Sequence, residues 1–140
     1  MANTLKYLSE HSEQVALFRW AQFALGRYPE LQLLHAIPNG GHRHIVVAAR
    51  MKAEGVKAGV PDICLPVPRG GFFGLYIEMK TRTGKLSPDQ GWWLAALQGM
   101  GYRAAMCRSF DEARQLIEEY LKLDVPVVTS QPTLLAQGEV

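Results

Sequence analysis

Asp62, Glu78 and Lys80 are the residues whose types and spacing suit chemistry, and all three lie in the stretch GVPDICLPVPRGGFFGLYIEMK, residues 59–80. Two apolar runs, Ile63 to Val67 and Leu75 to Met79, flank Pro68-Arg69-Gly70-Gly71, which predicts a β-hairpin with a loop of several residues. Residues two apart on a strand project from one face, so Glu78 and Lys80 share a side and Met79 takes the other. Antiparallel pairing near Glu78 would bring Asp62 to the same end of the hairpin. Two close carboxylates repel, and a hard divalent cation such as Mg²⁺ or Mn²⁺ removes the conflict while keeping waters that a phosphate can replace. Such a metal polarises a phosphodiester and lowers the pKa of a bound water. Lys80 would orient that water or offset charge in the transition state, and Met79 would offer only its backbone carbonyl. The plainer alternative is a cross-strand ion pair at a solvated sheet edge, worth roughly 0.2–1 kcal/mol.

The rest of the chain must supply elements that position this hairpin. A first helix is expected from near Ser9 to near Arg27, with Ser9 or Ser12 as N-cap. Helical steps from Glu13 reach Leu17, Trp20, Ala21 and Ala24, so this acid either favours the helix dipole or points inward at something cationic. Leu31 to Ile37 is a strand candidate. The loop Pro38-Asn39-Gly40-Gly41-His42-Arg43 then feeds a helix spanning His44 to Glu54, an arrangement suited to a phosphate. After the polar loop holding Arg82 and Lys85, Ser87 and Gln90 form a capping box with Pro88 at the first helical position. That helix carries the adjacent Trp92 and Trp93, which cannot both face one core, so one of them, or Phe72-Phe73, is a candidate partner contact. Tyr102 to Cys107 reads as a strand. Ser109 and Glu112 make a second capping box, opening a helix from Phe110 to about Leu123. Residues 124–140 lack a period and read as an arm or tail following a domain over residues 1–123.

The chain of 140 residues, 48% hydrophobic, is long enough to bury a core as one domain. Net charge is only +2, which argues against a general polyelectrolyte binder. The basic residues nevertheless concentrate between Gly40 and Lys85, where Arg43, Arg50, Lys52, Lys57, Arg69, Lys80, Arg82 and Lys85 face only Glu54, Asp62 and Glu78. This asymmetry fits a phosphate backbone or, more simply, a solvated charged face. Cys64 and Cys107 sit in apolar runs and read as buried free thiols in a reducing compartment. No segment has the length and apolarity of a membrane span, and a cytoplasmic location is expected. The order helix, strand, helix, strand, strand, helix, strand, helix predicts one α/β domain with a mixed sheet of about four strands flanked by helices.

Glu13, IPNGG at 37–41, GVPDI at 59–63, PRGG at 68–71, IEMK at 77–80 and LSPDQ at 86–90 together resemble the virus-type replication-repair nuclease (VRR-NUC) domain of the PD-(D/E)XK superfamily. The similarity covers roughly residues 10–120 and matches small stand-alone phage and bacterial members. It implies a restriction-endonuclease-like fold and a metal-dependent DNase with Asp62, Glu78 and Lys80 as catalytic residues. It also implies that Glu13 joins the metal environment and that Gln90 helps position substrate or water. Stand-alone members of the family act as homodimers on branched DNA, notably four-way (Holliday) junctions, in replication, repair and recombination. Asn39, Gly40, Gly41, His42, Arg43, Arg69, Arg82 and Lys85 are the expected DNA contacts. The competing function is a non-catalytic DNA-binding module that clamps DNA with the basic loops around Arg43 and Lys85. A sequence-specific restriction-type subunit would need a device for reading base edges, and no recognition insert is evident.

Overall fold

The computed structural model describes residues 2–38 and 44–127, with side chains in the first helix from Ser9 onward. In chain order the elements are α1 (Ala2–Phe23), β1 (His35–Ala36), α2 (Ile45–Ala53), β2 (Ile63–Leu65), β3 (Leu75–Met79), α3 (Pro88–Gly99), β4 (Arg103–Cys107) and α4 (Phe110–Leu121). The described strands form a four-stranded sheet in the order β1-β2-β3-β4. Strands β1, β2 and β3 pair antiparallel, while β4 lies parallel to β3. A parallel neighbour requires a crossover, and α3 provides it.

Alternation along β3 divides the core in two. Leu75, Ile77 and Met79 join Leu17 and Ala21 of α1 and Ala113, Ile117 and Tyr120 of α4 in the larger cluster. Tyr76, on the opposite face, packs with Leu94 and Leu97 of α3 and Ala104 of β4 in the smaller one. Glu78 therefore projects toward the α3 side, and Met79, 1% exposed, is a core residue as its strand parity requires.

Several elements differ from the sequence expectation. Helix α1 begins well before Ser9, because nothing in residues 2–8 breaks a helix and a serine hydroxyl is only a weak competitor for the backbone. Only two residues of the expected strand over Leu31 to Ile37 pair with β2. Pro29–Leu33 is instead a 3₁₀ turn with Pro29 at its start, which buries Leu31 and Leu34 three residues apart. Strand β2 stops at Leu65 because Pro66 and Pro68 have no amide to donate to the ladder. Val67 O is satisfied instead by the Tyr120 hydroxyl, which donates to it at 2.6 Å.

The hairpin closes through reciprocal bonds between Arg69 and Phe72 around Gly70 and Gly71, whose φ values of +59° and +85° place both central turn residues where only glycine is unstrained. Helix α3 starts at the expected capping box, with Gln90 N donating to Ser87 Oγ and Ser87 N donating to Gln90 Oε1. Helix α4 departs from its expected box in one bond. Glu112 N donates to Ser109 Oγ, but the Glu112 carboxylate accepts from Arg108 N rather than from the cap residue. Of the adjacent tryptophans, Trp93 packs in the smaller core and Trp92 is 64% exposed.

Candidate functional site

The register that pairs Ile63 with Ile77 sets Asp62 opposite Glu78, one step further along the ladder. Asp62 is anchored on both sides: its Oδ2 accepts from Met79 N at 2.9 Å, and its carbonyl accepts from Ile37 N at 2.7 Å. Lys80 Nζ lies 3.4 Å from Glu78 Oε1. Both of these side chains are buried, Glu78 at 2% and Lys80 at 8% exposure, so the pair is not the solvated edge contact of the plainer reading.

Gln90 forms the expected capping box and also bonds a carboxylate of the sheet. Its Oε1 and backbone N complete the capping box, which turns Nε2 toward the sheet, where it donates to Glu78 Oε1 at 3.0 Å. Glu78 Oε1 is thus doubly served, whereas Glu78 Oε2 is buried with no partner among the described residues. Burial, then the Asp62 charge, push the Glu78 carboxyl up to about 8, with Lys80 pulling it down and Glu10 adding to the rise.

Glu10 is the functional candidate that sequence reasoning missed. It stands one helical turn before Glu13, its charge acts on Glu78, and its Oε1 is buried and unpartnered among the described residues. Glu13 turns elsewhere, and its Oε2 accepts from Phe110 N at 2.5 Å, capping α4. Glu13 is thus engaged at the start of α4, and Glu10 is the α1 carboxylate whose charge acts on Glu78. The signal was present: Glu10 lies on the stripe that reaches Leu17 by helical steps, but placing the helix start at Ser9 put this acid in the fraying end.

Arg69, expected to contact DNA, is 8% exposed and committed to structure. Its Nη2 donates to Glu30 Oε1 at 2.9 Å and its Nη1 to Pro68 O at 2.8 Å, at the hairpin end remote from Glu78. Arg82 and Lys85 are exposed on the loop that follows Lys80. That loop is fastened by Arg108, whose Nη1 donates to the carbonyls of Thr81, Arg82 and Gly84 at 2.8, 3.0 and 2.8 Å. No motif in the sequence marks Arg108 for this task. Asn39, Gly40, Gly41, His42 and Arg43 lie outside the described residues.

The profile of the VRR-NUC domain matches residues 5–111, a span that holds Glu10, Asp62, Glu78, Lys80 and Gln90. The chain belongs to the VRR-NUC family. A solved structure described as a VRR_NUC domain protein is similar, with a TM-score of 0.70 and 28% identity over 84% of this chain and 91% of that one. No curated protein matches. Membership of the VRR-NUC family makes this a nuclease domain of the PD-(D/E)XK type, a superfamily that generally uses a divalent metal and for which DNA is the implied substrate. No described helix is long and apolar enough to cross a membrane.

The residues present fit such a metal. Among the described residues no three His, Cys, Asp or Glu side chains form a ready cage. Mg²⁺ does not need one, since it is held by one or two carboxylates and keeps several waters. The fit rests on Glu78 Oε2 and Glu10 Oε1, two buried acceptors without a partner among the described residues, and on the Glu78 carboxyl, whose proton affinity is raised by burial and then by the Asp62 charge.

Proposed function

We propose that this VRR-NUC protein is a Mg²⁺- or Mn²⁺-dependent endonuclease that cuts DNA at branched sites such as four-way junctions, acting as a homodimer in replication, repair or recombination. The observation that carries the reading is the buried Glu78, set opposite Asp62 with Lys80 and Gln90 on one oxygen and, among the described residues, nothing on the other. Asp62 and Glu78 would hold the cation, with the Met79 carbonyl and Glu10 as further oxygen donors. When bound, the metal polarises the scissile phosphate and supplies an ionised water near neutral pH.

The chain's own residues do the rest. Asp62 is held by the Met79 amide, so its second oxygen keeps a fixed direction. Gln90, locked by its capping box, fixes the Glu78 carboxylate so that Oε2 is the oxygen left for the cation. Lys80, kept out of bulk water, places a localised positive charge beside the carboxylates, where charge builds on the phosphate in the transition state. Arg82 and Lys85, on the loop fastened by Arg108, are suited to flanking phosphates.

The exposed Phe73, Trp92 and Met100, at 65%, 64% and 71%, support a partner subunit on the α3 side of the sheet. Sedimentation of wild type against Trp92→Ala tests this, with loss of the dimer expected.

The deciding experiment incubates duplex, flap, splayed and four-way DNA with the protein in Mg²⁺, Mn²⁺ or EDTA, reading both strand scission and gel mobility. Scission of branched DNA only with metal is expected. Binding without scission in every condition would leave a DNA-binding module, and uniform cutting of plain duplex would remove the structure selectivity.

A further inference from the structure

A groove of about 670 Å³ lies between the C-terminal end of α2 and the N-terminus of α3. Ala48, Met51 and Val56 give it apolar lining, Lys52 and Lys57 give it exposed positive charge, and Asp89 is the one acid among the described residues that line it. Helix α2 has no buried residue, so it does not serve to fill the core. It stands as a wall. The two sides are drawn together at Gly59, where an added Cβ would lie 2.7 Å from the Asp89 backbone. Gln90 also lines the groove, and the same side chain donates to Glu78. The groove and the carboxylate site therefore meet at Gln90.

We propose that this groove seats an unpaired stretch of the DNA strand being cut, with its phosphates on Lys52 and Lys57 and a base against the apolar lining beside Asp89. The inference rests on the nuclease reading above and narrows it to branch points where the strand is unpaired, or opens on binding, next to the scissile phosphate. A phosphate backbone alone needs cations and no apolar lining, while a single strand offers phosphates and apolar base faces together. The volume matches a small-ligand pocket rather than a double helix. Asp89 fits the same assignment, since a carboxylate repels phosphate but accepts a hydrogen bond from the exocyclic amine of cytosine.

The test is binding in chelator, so that cutting plays no part. Fluorescein-labelled single-stranded, splayed and blunt duplex DNA are titrated with wild type, Lys52→Ala/Lys57→Ala, Ala58→Phe and, as a control away from the groove, Lys122→Ala. The double variant is expected to lose tenfold or more on single-stranded and splayed DNA and much less on blunt duplex. Its plot of log affinity against log salt should be shallower by about 1.4, at about 0.7 for each single-strand phosphate contact released. Ala58→Phe, which narrows the groove without removing charge, should weaken unpaired DNA by a similar factor with the salt slope unchanged. Lys122→Ala should match wild type throughout. Equal losses on blunt and unpaired DNA, or wild-type binding of unpaired DNA by the double variant, would overturn the groove. Because Lys52 and Lys57 are exposed, thermal melting of that variant is expected to match wild type. Wild type that binds as described yet never cuts would defeat the nuclease reading and leave the groove standing.

Discussion

The two ends of the β2–β3 hairpin both bury charge, and they do so in opposite ways. At the turn end, Arg69 is paired with Glu30 at 2.9 Å, one positive charge against one negative. At the open end, among the described residues, Glu78 and Asp62, with Glu10 acting from α1, face the positive charge of Lys80, and two carboxylate oxygens have no partner. A balanced buried pair holds a loop in place. An unbalanced one lowers stability unless something cationic arrives, and that deficit is the ground on which we propose a cation site at this end.

The largest expected effect separates the two ends through activity. Lys80→Met or Asp62→Asn should lower the cleavage rate by about 10³-fold or more while DNA affinity in chelator stays near wild type, since charge stabilisation in the transition state is worth that much. A variant of either kind that cuts at the wild-type rate would sink the assignment. Next comes the choice between the two glutamates of α1. Glu10→Gln should raise the Mg²⁺ concentration for half-maximal cleavage by about 10–100-fold, whereas Glu13→Gln should leave it where it was. A metal titration of both variants decides this, and the reverse result would restore Glu13 to the site.

At the turn end, Arg69→Met strands Glu30, whose side chain is 28% exposed and can regain some water. The expected loss is about 2 kcal/mol, below the roughly 3–5 kcal/mol of a fully buried pair, read by denaturant melts, with cleavage per folded molecule preserved.

The raised carboxyl of Glu78 adds a pH dependence. Its proton binds the folded protein more tightly than the unfolded chain, so the stability it contributes is complete below about pH 4.5 and lost as pH rises through about 8. Metal-free protein should therefore melt progressively lower across that window, by several degrees. Glu78→Gln should flatten the profile, and saturating Mg²⁺ should restore the melting point at the alkaline end. A chelated wild type with a level profile would contradict the burial argument. The smallest effect is structural: Glu13→Gln weakens the cap on α4 by about 1 kcal/mol or less, visible as a small drop in melting temperature.

What could be seen in the chain beforehand follows from how local each signal is. The capping box at Ser87 and Gln90, the parity of Glu78, Met79 and Lys80, and the glycine turn of the hairpin depend on neighbours within a few residues, and each is found as expected. Reading failed where a distant partner decided. Arg69 looked like a surface cation until Glu30, 39 residues away, was brought beside it. Glu13 and Glu10 could not be told apart without knowing where α4 begins, because the Phe110 amide, 97 residues from Glu13, claims one and leaves the other.

By itself, then, the sequence determined the candidate charged groups, the strand that carries Glu78 and the α/β order of the elements. These rest on residue type and on periods of 2 and 3.6. Tertiary structure alone decided which glutamate of α1 acts on Glu78, that Gln90 caps a helix with one end of its amide and holds Glu78 with the other, and that a lysine-bearing groove meets the site at Gln90. Each depends on where independent elements meet, and packing sets that through contacts no local pattern encodes.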